Sequence, residues 1–226
     1  MTSYSPMKSL LIFDLDGTLL DTVADLAAST NYALSQCGFP THDTGAYRFF
    51  VGNGINKLFE RALPEGEKTQ ENIFRVRQYF LEFYGTHNAD LTTPYPGMVD
   101  LLNSLQAAGV KLAVASNKYQ KGTEKLIQLF FSEIHFVAVF GQRENVPAKP
   151  DPTIVNEILA IANVDKQNVL YIGDSGVDMQ TAQNIGIDAL GVTWGFRPRA
   201  EMEAFSPKYM VDHPAEILSI VLQQIH

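Results

Sequence analysis

From Pro96 onward, short apolar runs of strand character alternate with stretches whose apolar residues recur at helical spacing. Met98, Leu101, Leu102, Leu105 and Ala108 mark a helix that Gly109 stops; Lys111–Ser116 (KLAVAS) reads as a strand. A helix over 120–131, a strand at 136–140 (FVAVF) and a helix over 151–162 opened by Pro152 follow. Then come a strand at 168–174 (NVLYIGD), a helix over 176–186, a strand at 189–193 and a last helix from about Pro214. Parallel strands need a crossover between them, and a helix is the compact way to make one. The alternation therefore predicts an α/β fold, a doubly wound, Rossmann-like parallel sheet with helices on both faces.

In such a sheet, ligands bind outside the carboxyl ends of the strands. Three strands end in polar residues: Asp14 and Asp16 after Leu10–Phe13, Ser116 and Asn117, and Asp174. Winding would gather them at one edge. Residues 22–90 break the pattern, because 22–36, 54–63 and 68–86 read as helices with no comparable strand between them. The expected organisation is a core of residues 1–16 and 95–226, with an α-helical cap of residues 17–94 inserted after the first strand. Its hinges fall near 17–22 and 91–97.

The chain of 226 residues is 46% hydrophobic and 19% charged, enough for a sizeable core. A net charge of −8 with no basic run argues against a nucleic-acid partner, which demands clustered Lys and Arg. No segment approaches the roughly 20 apolar residues that span a bilayer, and Asp14 interrupts the apolar run near the N-terminus before it reaches signal-peptide length. The single cysteine, Cys37, fits a reducing compartment and reads as a small apolar filler. The expectation is a soluble cytoplasmic protein.

Four separated stretches carry the chemistry: DLDGT at 14–18, ASN at 115–117, AKPDP at 148–152 and GDSGVD at 173–178. An Asp-Gly-Thr stretch alone is more often a turn than a site. In this order, each ending a strand or opening a helix, the four resemble the motifs of the haloacid dehalogenase superfamily. The resemblance covers the whole chain and implies a phosphotransferase. In that reading Asp14 is the nucleophile, a carboxylate already ionised at pH 7. It must approach a phosphate of about two negative charges. At roughly 4 Å and an effective dielectric near 20, the repulsion is about 8 kcal/mol, or about six powers of ten in rate. Fixed positive groups are required.

The resemblance implies Mg²⁺ as one, held by Asp14, Asp174 and the backbone carbonyl of Asp16, with Asp178 in the outer shell. Lys149, Ser116 and Asn117 would hold the phosphoryl oxygens, and Asp16 would be the general acid and base. A dehalogenase of the superfamily would need neither Asp16 in that role nor the metal. VGNGINKLFERAL at 51–63 is similar to the cap of phosphoglycolate phosphatases, which makes Asn53, Lys57 and Arg61 candidates for substrate choice. Asp21 and Asp25 read as N-terminal helix charges, and Lys118 as a second phosphate contact. Trp194, Phe196 and Arg197 offer a wall of the site or a packing role. The expected partner is a small phosphorylated metabolite, 2-phosphoglycolate first. A phosphosugar mutase, a broader sugar-phosphate, nucleotide or pyrophosphate phosphatase, and a non-enzymatic binding module are the alternatives. Oligomeric state is not readable.

Overall fold

The computed structural model describes residues 4–6 and 8–224. In chain order the elements are β1 (Tyr4–Pro6), β2 (Leu10–Phe13), β3 (Leu20–Asp21), α1 (Val23–Gln36), α2 (Thr44–Phe50), α3 (Ile55–Ala62) and α4 (Gln70–His87). After β4 (Thr93–Pro94) come α5 (Met98–Ala107), β5 (Lys111–Tyr119), α6 (Gln120–Phe130), β6 (Phe136–Gln142), α7 (Thr153–Ala162), β7 (Val169–Gly173) and α8 (Gly176–Ile185). The chain ends with β8 (Asp188–Val192), α9 (Arg199–Glu203), β9 (Tyr209–Val211), α10 (Pro214–Val221) and β10 (Leu222–Gln224).

Six strands form one parallel sheet in the order β6-β5-β2-β7-β8-β9. Side chains alternate across it, so each strand feeds two cores. Leu11 and Phe13 of β2, Leu112 and Val114 of β5, and Leu170 and Ile172 of β7 join one cluster, with Leu101 and Leu105 of α5, Leu126 of α6 and Ile217 of α10. Leu10, Ile12, Ala113, Ala115 and Tyr171 join the other, with Val155 and Ile158 of α7, Met179 and Ala182 of α8 and Met202 of α9. Helices thus cover both faces, and the strands read as continuous apolar runs because both of their faces are buried.

The sheet is wound outward from its centre. The chain goes from β2 to β5 and β6 on one side, then crosses back to β7, β8 and β9 on the other. The crevice where the winding reverses lies at the carboxyl ends of β2 and β7, followed by Asp14 and Asp174, and beside the C-terminal part of β5, which runs on through Ser116–Asn117 to Tyr119.

Helices α1–α4 have a hydrophobic cluster of their own, built on Leu26, Leu34, Tyr47, Leu58, Phe59, Val76, Phe80 and Tyr84. α2 lies outside the three helices that the sequence marks in this block, 22–36, 54–63 and 68–86. Its seven residues carry a glycine and three aromatics, so local propensity for helix is weak. Packing of Tyr47, Phe50 and His42 edge to face supplies the order instead. The chain enters and leaves this helical block through a two-stranded ribbon, β3 against β4, pairing Leu20 with Pro94 and Asp21 with Thr93. Asp25 stands in the first turn of α1, but its role is not limited to the helix dipole. Its buried carboxylate accepts from the Leu91 and Thr92 amides at 3.0 and 2.8 Å and from the Thr92 hydroxyl at 2.7 Å. It therefore pins α1 to the returning strand. Among the described residues no helix is long and apolar enough to cross a membrane.

Candidate active site

Asp14 is the first residue past β2, and its amide still donates to Ile172 in β7 at 2.9 Å. The strand register therefore fixes its position. The ammonium of Lys149 lies 3.0 Å from the Asp14 carboxylate and donates to Asp178 at 2.8 Å, to the Ala115 carbonyl at 2.9 Å and to the Tyr171 hydroxyl at 3.1 Å. Lys149 is almost fully buried, joined to Pro150 by a cis peptide bond. Burial opposes its charge, but Asp14 and Asp178 more than offset this and hold its pKa well above the ordinary value. Asp178 is fixed in turn by the Ser175 hydroxyl at 2.6 Å and the Ser175 amide at 3.2 Å, closing a capping box at the start of α8.

Asp16 lies one turn further on, clear of this group. Thr22 donates to it at 2.7 Å and Lys118 reaches its two oxygens at 3.0 and 3.3 Å. Lys118 is therefore an ion partner of Asp16. Asp174 accepts from the Phe196 amide at 2.7 Å and from the Thr18 hydroxyl at 3.4 Å. Gly17, at φ +89°, and Gly195 crowd it so closely that a Cβ on either would collide with Asp174. Trp194 anchors the same segment by donating to the Thr18 carbonyl at 3.1 Å.

Burial pushes Asp14 up to about 7; Lys149 pulls it down, while Asp178 and Asp16 add to the rise. Asp174 is pushed well above the carboxylate range by burial, then by Asp178 and Asp14. Among the described residues, the cations paired with this cluster of Asp14, Asp16, Asp174 and Asp178 are Lys118 and Lys149, which would leave an excess of two negative charges with all four carboxylates ionised. Asp14, Asp174 and Asp178 each offer an oxygen within 4.8 Å of the others. A divalent cation fits this set: its charge cancels the excess, all donors are the oxygens a hard cation takes, and glycines leave Asp174 no other filling.

Above Asp14 and Asp16 lies a chamber between the sheet edge and the helical block. Leu26, Val51, Ile55, Leu58, Phe80 and Tyr84 form its far wall, and Ser116, Asn117, Lys118 and Tyr119 its floor.

A family model described as haloacid dehalogenase-like hydrolase matches residues 11–192. The chain belongs to this family. The hydrolase is 33% identical to a phosphoglycolate phosphatase of Mesorhizobium japonicum over 91% of each chain. It is also 33% identical to one of Psychrobacter arcticus over 96% of each. Among solved structures it superposes with a TM-score of 0.88 on a chain from Lactobacillus delbrueckii subsp. bulgaricus, itself described as a candidate phosphoglycolate phosphatase. That chain is 31% identical, the match covering 98% of the hydrolase and 99% of the other.

In the hydrolase, the motif residues Asp14, Asp16, Ser116, Lys149, Asp174 and Asp178 meet in one place. The Asn117 side chain, expected to hold a phosphoryl oxygen, is engaged by the protein itself. Both its amide protons are engaged, with the Gly52 carbonyl at 3.0 Å and the Lys149 carbonyl at 3.1 Å, and its oxygen accepts from the Lys149 amide at 2.8 Å. It is a strut that sets the Lys149 backbone and grips the loop after α2. Asn53, Lys57 and Arg61 do not line the chamber. Lys57 pairs with Glu60 at 2.6 Å on an exposed face, and Arg61 ties the Phe50 carbonyl at 2.9 Å to the Asn53 oxygen at 2.7 Å. Thr22, Tyr84 and Tyr171 are site neighbours the motifs do not contain. Tyr171 was detectable as the one polar-tipped side chain inside an otherwise apolar strand. Thr22 and Tyr84 give no local signal, because only the folded chain brings them to Asp16 and the chamber.

Proposed function

We propose that the hydrolase is a phosphatase that cleaves a small phosphomonoester, 2-phosphoglycolate first, through a phosphoaspartate intermediate. The observation that carries this reading is the pair of carboxylates at the end of β2, each with its own partners. Asp14 is set against Lys149, and Asp16 is held apart by Thr22 and Lys118 at the floor of the chamber. One carboxylate is placed to attack and the other to carry protons. The names of the relatives support the substrate.

An oxygen of Asp14 forms a bond to phosphorus as the ester oxygen leaves, and Asp16 gives that oxygen its proton. Asp16, now a carboxylate, takes a proton from a water that attacks the acyl phosphate, releasing inorganic phosphate and restoring Asp14. Lys149 and the Ser116 hydroxyl stabilise charge on the phosphoryl oxygens. Asp14 and Asp174, with the Asp16 carbonyl and Asp178 in support, would hold Mg²⁺, which neutralises part of the phosphate charge and of the carboxylate cluster. Helices α1–α4 act as a cap that excludes bulk water while the phosphoryl group passes to Asp14.

The test is phosphate release in Mg²⁺ from 2-phosphoglycolate, sugar phosphates, nucleotides and pyrophosphate. A kcat/KM for 2-phosphoglycolate at least tenfold above the others is the expected result. A different peak would move the substrate and leave the phosphatase chemistry, whereas no release from any of them would remove both.

A further inference from the structure

The chamber contains a buried hydroxyl whose proton has no acceptor. Tyr84, in α4, is fully buried and lines the chamber, and only the Lys118 ammonium, itself a donor, stands against its hydroxyl, so the hydroxyl proton has no acceptor. An unmet buried hydroxyl costs about 1–3 kcal/mol, and such an exception in a folded protein calls for a reason. The remaining upper wall, from Leu26, Val51, Ile55, Leu58 and Phe80, supplies no polar side-chain atom.

Beside Tyr84 stands Lys118, with its ammonium 4.9 Å from the ring centre. An ammonium has three protons. The Asp16 oxygens, at 3.0 and 3.3 Å, account for two of those of Lys118. The third faces the Tyr84 hydroxyl, so a positive charge and a hydroxyl with an unused proton meet at one corner of an otherwise apolar space. The other cations nearby are engaged: Arg48 with the Gly195 carbonyl at 3.2 Å, Arg197 with the Val51 carbonyl at 2.9 Å, and Arg61 and Lys57 as described.

We propose that Tyr84, together with Lys118, determines specificity by binding a carboxylate on the leaving group. The position of the corner also sets the length of that group. Lys118 touches Asp16, the residue that protonates the ester oxygen, so the carboxylate sits only one or two bonds beyond that oxygen. The substrate class is the phosphate of a short 2-hydroxy acid. A longer polyol would place its hydroxyls against Leu26, Ile55, Leu58 and Phe80, where they have nothing to bond.

This assignment rests on the phosphatase reading, and the experiment separates the two. Kinetics of wild type and Tyr84→Phe are compared on 2-phosphoglycolate and on phenyl phosphate, which has no carboxylate, together with the Tm of both proteins. The ratio of the two kcat/KM values is expected to fall about tenfold in the variant, mostly through KM for 2-phosphoglycolate, with Tm unchanged or higher. An unchanged ratio overturns the assignment of Tyr84. So does a Tm several degrees lower, which would show the hydroxyl to be held by the fold. Wild-type turnover of phenyl phosphate alone overturns the substrate class and leaves the phosphatase intact. Turnover of neither ester overturns both.

Discussion

At the scale of single residues, Asp14 is caught between burial and neighbours of its own sign, with Lys149 as its one counterweight at 3.0 Å. Asn at position 14 keeps the shape, removes the attacking charge and relieves the repulsion from Asp178 and Asp16. Asp14→Asn is expected to lower phosphate release by roughly a thousandfold or more while leaving Tm equal or higher. Turnover within tenfold of wild type would sink the covalent mechanism. The acids at this site were legible because each follows an apolar run that had to be a buried strand, and a carboxylate there is costly without a purpose. Thr22 and Tyr84 were not, and Lys118 was read as a phosphate contact, not as the partner of Asp16. A residue's distance in space from Asp16 is not written in its distance along the chain. Asn117 shows a subtler limit: the right residue type stood at the right strand end, but its amide was engaged by Gly52 and Lys149, which only packing brings near.

At the scale of elements, the parallel sheet followed from alternation because each of its strands is buried on both faces. Short elements escaped that logic, α2 and β9 among them. Helix α2 owes its order to ring packing, and β9, Tyr209–Val211, is a short edge strand with little apolar length to mark it. The link between α1 and β4 is similarly non-local, since Asp25 bonds partners 66 and 67 residues away. Asp25→Ala takes the acceptor from the Leu91 amide and from the buried Thr92 amide and hydroxyl, and should cost about 1–3 kcal/mol in urea unfolding. Hydrogen exchange at those two amides should rise with it. Loss of less than about 0.5 kcal/mol would mean that the contact is solvated in solution and pins nothing.

For the whole molecule, the carboxylate cluster is a source of internal repulsion that a bound dication removes. Cation affinity therefore adds directly to folding stability, by about 2.7 kcal/mol at a hundredfold excess over Kd. For a chain of this size that is a rise in Tm of roughly 5–10 °C. Saturating Mg²⁺ should produce it, EDTA should reverse it, and the Asp174→Asn variant should show much less. An Mg²⁺-independent Tm in the wild type would count against the proposed metal site. The ribbon of β3 and β4 has a different consequence, one of heredity. The block that walls the chamber leaves the sheet and rejoins it at neighbouring points, Leu20–Asp21 and Thr93–Pro94. A descendant gene could exchange or remodel everything between them, and with it the choice of leaving group, without shifting the register of any strand that carries Asp14, Lys149 or Asp174. The strand ends and most of the chamber wall are inherited here on separate stretches of chain, joined at one seam.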